Sequence, residues 1–395
     1  MTKDKLQDKC RGSLIGGAVG DALGYEVEFM SLSAILRQFG ESGITRYVTH
    51  NGVAEFSDDT QMTLFTAEGI LSAYANGKLD EAEIRSQIRK SYEHWYATQT
   101  RVPYALSRNW LSNLATLWSE RAPGMTCMSA LHQIAYGDGS PVENNSKGCG
   151  GVMRVAPIGI FSAAHPDIVD TCMAGRLAGL AAEITHKHPL STMSSKALAI
   201  IVAKCIAMDE VNRVPFKALV IENVLNAMEI EYANNESFEY LRSLLLNAID
   251  LAESDNVSDH EAIKILGQGW VAEETLAIAI FSVMRYIDDF EKCIVCSVNH
   301  DGDSDSTGAV AGNIIGAIIG YSAIPGHYIE NLEIEPVLVS VADDLCADVS
   351  ILKVNLRVGD RYVKHLPVGV DSNFLIQQNN NLQMEKEKTH GRDVG

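Results

Sequence analysis

Two short acidic clusters lie far apart in the chain, and each runs directly into an apolar pattern of helical period. The first is Ser57, Asp58, Asp59 and Thr60. The second is Asp303, Ser304, Asp305 and Ser306, preceded by Asp301 and Gly302. Carboxylates this close repel one another and resist removal from water, so a fold keeps them at the mouth of a buried helix only if a cation neutralises them. The ligand atoms on offer are carboxylate and hydroxyl oxygens, with no Cys or His inside either cluster. That donor set suits Mg²⁺ or Mn²⁺ better than zinc or copper. Brought together by the fold, the clusters would make a two-metal site. Taken singly, each is also an ordinary helix N-cap signal. Their repetition, each with flanking hydroxyl residues, favours the metal.

Other segments carry weaker signals. Ser146, Lys147, Gly148 and Cys149 open a glycine-rich stretch that runs to Arg154. It is either a plain turn or a cradle whose backbone N–H groups face a phosphate. His186 closes a helical pattern, where a histidine is often only favoured by the helix dipole; contact with a ligand is the functional alternative. The run from Gly12 to Asp21 superficially suggests a dinucleotide phosphate loop, but no strand precedes it and no βαβ unit follows. The run from Asp301 begins like a calcium loop, yet Ser306 and Gly312 stand where that loop needs Gly and Glu.

Helices must position these residues. Apolar residues recur at i, i+3 and i+4 through 64–75, 168–185, 195–208, 219–228, 238–253 and 271–286. An all-α body is therefore expected over 1–350, with loops near 231–237 and 254–260. The strand-like exception is 351–370, where two alternating runs flank Gly359 and Asp360 and predict a β-hairpin. From 371 to 395 the chain is polar, Asn/Gln-rich and then charged, which predicts a disordered tail. Two glycine ladders stand out. Gly12, Gly16, Gly20 and Gly24 share one helix face, as do Gly308, Gly312, Gly316 and Gly320. Each glycine costs about 1 kcal/mol against alanine in a helix interior. Four in a row are kept where backbones approach closely, so these two helices are expected at the centre, packed on each other. Asp21 and Glu28 lie on or just past the first ladder, which places Glu28 within reach of the metals.

Composition narrows the function. The chain has 395 residues, 46% hydrophobic and 21% charged, with a formal net charge of −19. That charge argues against an undirected binder of nucleic-acid backbone. Eight cysteines are scattered; only Cys293 and Cys296 have C-x-x-C spacing, without a second pair to complete a zinc site. The charged start, with no apolar stretch behind it, and the cysteine usage point to the cytoplasm. The uncharged stretch 308–326 holds five glycines, Asn313, Ser322 and Pro325, so it reads as a buried core helix rather than a membrane span.

Taken in order, the motifs resemble the ADP-ribosylglycohydrolase family. They are Gly16 to Gly24 with Glu28, Ser57 to Thr60, Ser146 to Arg154, Thr185 with His186, Gly267 to Glu274, and Gly302 to Gly308. The likeness spans roughly 10–325. It implies an all-α orthogonal bundle with two Mg²⁺ or Mn²⁺ ions in a cleft. Ser57, Asp58, Asp59 and Asp305 would hold one ion; Asp303, Asp305, Ser306 and Glu28 would hold the other, with Asp305 bridging. Ser146, Lys147, Gly148, Cys149 and His186 would line the diphosphate and distal ribose of ADP-ribose, and Gln268 and Trp270 the cleft edge. Asp58, Asp59 and Asp305 would be catalytic, with Asp59 or Asp58 as the base that deprotonates the attacking water. The transition state would have oxocarbenium character, as in glycoside hydrolysis. The implied partner is an ADP-ribosylated protein. Serine-directed members tend to carry Thr where this chain has the later Ser306, so an arginine linkage is expected. One departure is Asp301, where the family commonly has Gly; an added carboxylate there is expected to tune metal affinity. A silent ADP-ribose binder and a two-metal nucleotide phosphohydrolase are the rival classes.

Overall fold

The computed structural model describes residues 1–101 and 110–356, and helices carry most of them. In chain order they are α1 (Lys3–Gly24), α2 (Leu32–Phe39), α3 (Asp58–Asn76), α4 (Glu81–Thr100), α5 (Met125–Tyr136) and α6 (Ala156–Ala164). Next come α7 (Thr171–Ala182), α8 (Pro189–Ala207), α9 (Arg213–Ala218), α10 (Asn226–Tyr232), α11 (Glu236–Glu253) and α12 (Asp259–Leu266). The last are α13 (Ala272–Arg285), α14 (Phe290–Val298), α15 (Ser304–Ile319), α16 (Gly326–Ile329), α17 (Glu335–Leu345) and α18 (Val349–Leu356). Among the described residues, β-structure is limited to isolated bridges such as Gly148 with Val271. The expected all-α bundle is what forms.

The two glycine ladders meet. Helices α1 and α15 lie antiparallel, with Gly12 against Gly316, Gly16 against Gly312, and Gly20 against Gly308. A Cβ on Gly16 would collide with the Gly312 carbonyl, and one on Gly24 would stand 2.6 Å from the Asp305 amide nitrogen. Backbone-to-backbone packing therefore replaces side-chain packing along this seam, and dispersion contacts offset the propensity cost of the glycines. Ser13 and Asn313 fasten the pair: Ser13 Oγ donates to Asn313 O (2.9 Å), and Asn313 Nδ2 donates to Ser13 O (2.9 Å). The uncharged stretch after Gly308 is this buried helix, as expected. Helix α8 is long and apolar enough to cross a membrane, and it is mostly buried against other helices here.

Caps mark the ends that matter for the site. Ser57 caps α3, accepting from Asp59 N, and Asp303 caps α15, accepting from Ser306 N. Helix α3 stops at Gly77, whose φ of 68° suits the left-handed cap.

The C-terminal hairpin expectation is corrected over its described part. Residues 351–356 continue helix α18 rather than form a strand. Leu352 is fully buried and Val349 packs partly on the core, and the helix lies on α3, with Val349 N donating to the Tyr74 hydroxyl (3.1 Å). A one-sided anchor three residues apart suits a helix turn. The rest of the hairpin, and the tail expected over 371–395, lie outside the described residues.

Candidate metal centre and cleft

The antiparallel α1–α15 pair brings the end of α1 beside the start of α15. That places Glu28, just past α1, next to Asp303 and Asp305; carboxylate oxygens of the three lie within 4.8 Å of one another. The N-terminus of α3 enters the same cleft with Asp58 and Asp59 in its first turn. Both helix N-termini thus direct N–H dipoles at the acidic cluster, which eases the burial of its charge.

All five carboxylates are buried. Among the described residues none has an ion-paired Lys or Arg within 4.0 Å. Three of their oxygens, Glu28 Oε2, Asp59 Oδ1 and Asp303 Oδ2, are buried without any hydrogen-bond partner. Burial, and after it the charge of Asp305, drives the protonation of Glu28 up to about 11. The same two causes, in the same order, push Asp58, Asp59 and Asp303 well above the ordinary carboxylate range. Orphaned carboxylate oxygens crowded into one buried cluster are the arrangement a hard divalent cation satisfies. The residues present fit such a cation.

Backbone contacts fix the ligands. Asp58 N donates to Arg121 O (2.9 Å), and Asp58 Oδ2 accepts from Gly124 N (3.3 Å). Arg121 is held between Glu55 (2.9 Å) and Glu333 (3.1 Å). Asp303 N donates to Gln268 O (2.8 Å). Asp21, on α1, accepts from Ser57 N (2.8 Å), Thr60 N (2.9 Å) and Thr60 Oγ1 (2.5 Å). It is fully buried and holds the acidic turn of α3 without lining the cleft.

The cleft has a volume of about 330 Å³. Glu28, Asp58, Asp59, Asp303, Asp305 and Ser306 line its floor. Gly148, Cys149, His186 and Trp270 line its walls. Ser57 is fully buried beneath, with its hydroxyl 3.4 Å from Asp59 Oδ2.

Three residues expected at the substrate send their side chains or backbone elsewhere. Ser146 bonds Thr126 (3.0 Å) and accepts from Gly148 N (3.3 Å). Lys147 reaches the fully buried Glu273 on α13. Gln268 acts through its backbone, donating from N to Glu274 (2.9 Å) as well as accepting from Asp303. The loop as a whole is zipped to the 268–272 segment, with Cys149 N donating to Trp270 O (3.2 Å) and Ala272 N to Lys147 O (2.8 Å). Asp301 is also corrected. Its carboxylate turns away from the cluster and accepts from Leu32 N (2.7 Å) at the start of α2. It ties down the segment that carries Glu28 and does not line the cleft.

Sequence reasoning missed the wall formed by 122–127, which has no acidic or glycine-ladder signal, only the turn residues Pro123 and Gly124. It also missed Phe29. That ring is largely exposed, stacks on Trp270 at 5.8 Å and 22° between planes, and roofs the cleft beside Glu28.

A model of the family described as ADP-ribosylglycohydrolase matches residues 2–353. The chain belongs to the ADP-ribosylglycohydrolase family. A solved structure titled as an ADP-ribosylglycohydrolase-related protein complex superposes with a TM-score of 0.56 at 25% identity, covering 87% of this chain and 98% of the other. Among curated family relatives, the ADP-ribosyl-[dinitrogen reductase] glycohydrolase of Rhodospirillum rubrum is 24% identical over 85% of this chain and 94% of its own. The ADP-ribosylarginine hydrolase Tri1 of Serratia proteamaculans is 26% identical over 86% and 79%. The ADP-ribosylhydrolase ARH3 of Danio rerio is 25% identical over 81% and 85%. Membership in this family carries hydrolase activity and the all-α fold seen here.

Proposed function

We propose that the chain hydrolyses the glycosidic bond between ADP-ribose and an arginine side chain of a modified protein, releasing free ADP-ribose. The observation that carries this reading is the meeting of two acidic clusters, some 245 positions apart, as orphaned carboxylates in one cleft. In this reading Ser57, Asp58, Asp59 and Asp305 would hold one Mg²⁺ or Mn²⁺, and Asp303, Asp305, Ser306 and Glu28 would hold a second. When bound, the ions would supply fixed positive charge against the hydroxyls of the distal ribose. The protein residues do the rest. Gly148, Cys149 and His186 contact the diphosphate side of the ligand. Asp59 or Asp58 accepts the proton of the attacking water, whose oxygen joins the anomeric carbon. The bond to the guanidine nitrogen breaks with its electron pair leaving on that nitrogen. The flat Phe29–Trp270 pair stands over the cleft, where a guanidinium would meet aromatic faces. Eight free thiols suit a reducing, cytoplasmic setting.

The Serratia proteamaculans relative, an ADP-ribosylarginine hydrolase by name, supports the arginine linkage, and the Rhodospirillum rubrum relative, named for ADP-ribosylated dinitrogen reductase, supports a modified protein as the substrate. The Danio rerio relative, named an ADP-ribosylhydrolase with no linkage stated, leaves another linkage (serine, nucleobase or O-acetyl-ADP-ribose) as the alternative.

The test is release of ADP-ribose from an ADP-ribosyl-arginine protein with Mg²⁺ or Mn²⁺, with chelator, and with Asp305→Asn. Release that needs the metal and falls at least 100-fold in the variant is expected. Release from a serine-linked substrate alone would reassign the linkage. Tight ADP-ribose binding without release from any substrate would make the chain a silent binder.

A further inference from the structure

Arg154 is fully buried, yet none of its hydrogen bonds among the described residues is to a carboxylate. Its guanidinium lies over the Tyr92 ring at 4.3 Å. Nη1 points at the sulfurs of Met62 and Cys127, each at 3.4 Å. Nη2 donates to Ala181 O (3.2 Å) and to Thr185 Oγ1 (2.6 Å). Thr185 Oγ1 is in turn 2.8 Å from His186 Nδ1.

The direction of this chain of hydrogen bonds follows from chemistry. A guanidinium only donates, so Thr185 Oγ1 accepts from Arg154. The single hydroxyl proton of Thr185 is then free for another acceptor. The neighbours on offer are His186 Nδ1 and the sulfur of Cys127, and a thiol sulfur is the weaker acceptor. His186 Nδ1 therefore receives the proton and carries none of its own. A neutral imidazole has one N–H, which must sit on Nε2. Nε2 has no hydrogen-bond partner among the described residues. It faces the glycine loop, where a Cβ on Gly148 would stand 3.2 Å away, and His186 lines the cleft.

We infer that Arg154, acting through Thr185, is a positioning residue that holds His186 as the Nε2–H tautomer, a neutral donor aimed into the cleft at an unprotonated oxygen of the ligand, such as a phosphoryl oxygen. The ligand's identity rests on the function proposed above; the relay does not. Burial, and after it the charge of Arg154, lowers the protonation of His186 to about 3, which keeps the ring neutral. Like the backbone N–H groups of the glycine loop, an imidazole Nε2–H donates and does not accept. A tautomer-locked imidazole adds one donor at one place.

The test separates tautomer from binding. Side-chain ¹⁵N NMR of histidine-labelled protein, with His186 assigned by its loss in His186→Gln, reads which nitrogen is protonated without ligand. Wild type is expected to show protonated Nε2 and bare Nδ1. Thr185→Val, nearly the same shape without the hydroxyl, is expected to give mixed tautomers and about tenfold weaker ADP-ribose binding by calorimetry, a loss of about 1.4 kcal/mol. Thr185→Ser keeps a hydroxyl and is expected to restore both. A protonated Nδ1 in wild type, or an unchanged spectrum in Thr185→Val, would overturn the inference. A locked tautomer together with no ADP-ribose binding would uphold the relay and refute the proposed ligand instead.

Discussion

Asp21 holds Thr60 by both its backbone N–H and its hydroxyl, through one carboxylate oxygen, at 2.9 and 2.5 Å. The other oxygen takes the Ser57 N–H. A residue of the glycine-ladder helix thus clamps both sides of the Asp58–Asp59 pair. Asp21→Asn presents an NH₂ where a donor already points. Lost hydrogen bonds to a charged group cost about 1.5–3 kcal/mol, and disturbed supports of a metal site cost about 10- to 100-fold in affinity. The expected outcome is lower stability in urea and at least tenfold weaker Mg²⁺ or Mn²⁺ binding by calorimetry. Unchanged metal affinity would show that the acidic turn keeps its geometry without Asp21.

Metal binding should be visible as stability. The crowded carboxylates of Glu28, Asp303 and Asp305 repel one another when ionised. A cation that binds only the folded chain stabilises it by about 2.7 kcal/mol at one hundred times its dissociation constant. Scanning calorimetry is expected to show a Tm several degrees higher with Mg²⁺ or Mn²⁺ than with chelator, and no such gain in Asp303→Asn. Equal Tm values for wild type under both conditions would count against a cation site in the cluster.

The glycine seam sets a steric test. Alanine is favoured over glycine in a helix by about 1 kcal/mol, so Gly16→Ala would stabilise an isolated α1. In the fold, its Cβ meets the Gly312 carbonyl, a backbone group that cannot rotate away. Overpacking of this kind costs about 1–3 kcal/mol or more. Chemical unfolding of Gly16→Ala is expected to show net destabilisation. A neutral or stabilised variant would mean that α1 and α15 can separate without loss.

Glu68 gives a pH dependence away from the metals. It is buried in α3, accepts from Ser91 Oγ (2.8 Å) and Leu111 N (3.1 Å), and burial raises it from 4.5 to about 7. A carboxyl raised in the folded state favours folding most below its unfolded value and loses that contribution as pH rises through about 7. At 1.36 kcal/mol per unit, the loss between pH 5 and 8 is on the order of 2–3 kcal/mol. Urea unfolding of wild type against Glu68→Gln should show the difference in stability drifting by that amount. Parallel pH profiles would sink the assignment.

Much of the site was legible because carboxylates announce themselves: Asp58, Asp59, Asp303 and Asp305 stand in pairs, and the glycine spacing said which two helices would bring Glu28 beside the second pair. The less legible residues act through geometry that spacing does not encode. Lys147 reads as a phosphate ligand until Glu273, 126 positions on, is found beside it. Asp301 reads as an added carboxylate near the ions, but the open N-terminus of α2 takes its carboxylate. The 351–356 segment alternates like a strand, and only the surface of α3 selects the helical face that buries Leu352. Arg154 and Thr185 were visible as letters of a motif, whereas the direction of donation between them follows only from where the fold sets them.

The α1–α15 seam also has a consequence for the order in which the molecule is made. Helix α1 leaves the ribosome well before its glycine partner surface, which ends at Ile319. Until that late helix emerges, α1 has no backbone to lie against, and Glu28 has neither Asp303 nor Asp305 beside it. Contacts this distant in sequence form late, after the loop-closure cost has been met. A nascent chain therefore carries half of an acidic cluster while everything between α1 and α15 is made, and the proposed capacity to capture a divalent ion would arrive nearly at once, when α15 emerges.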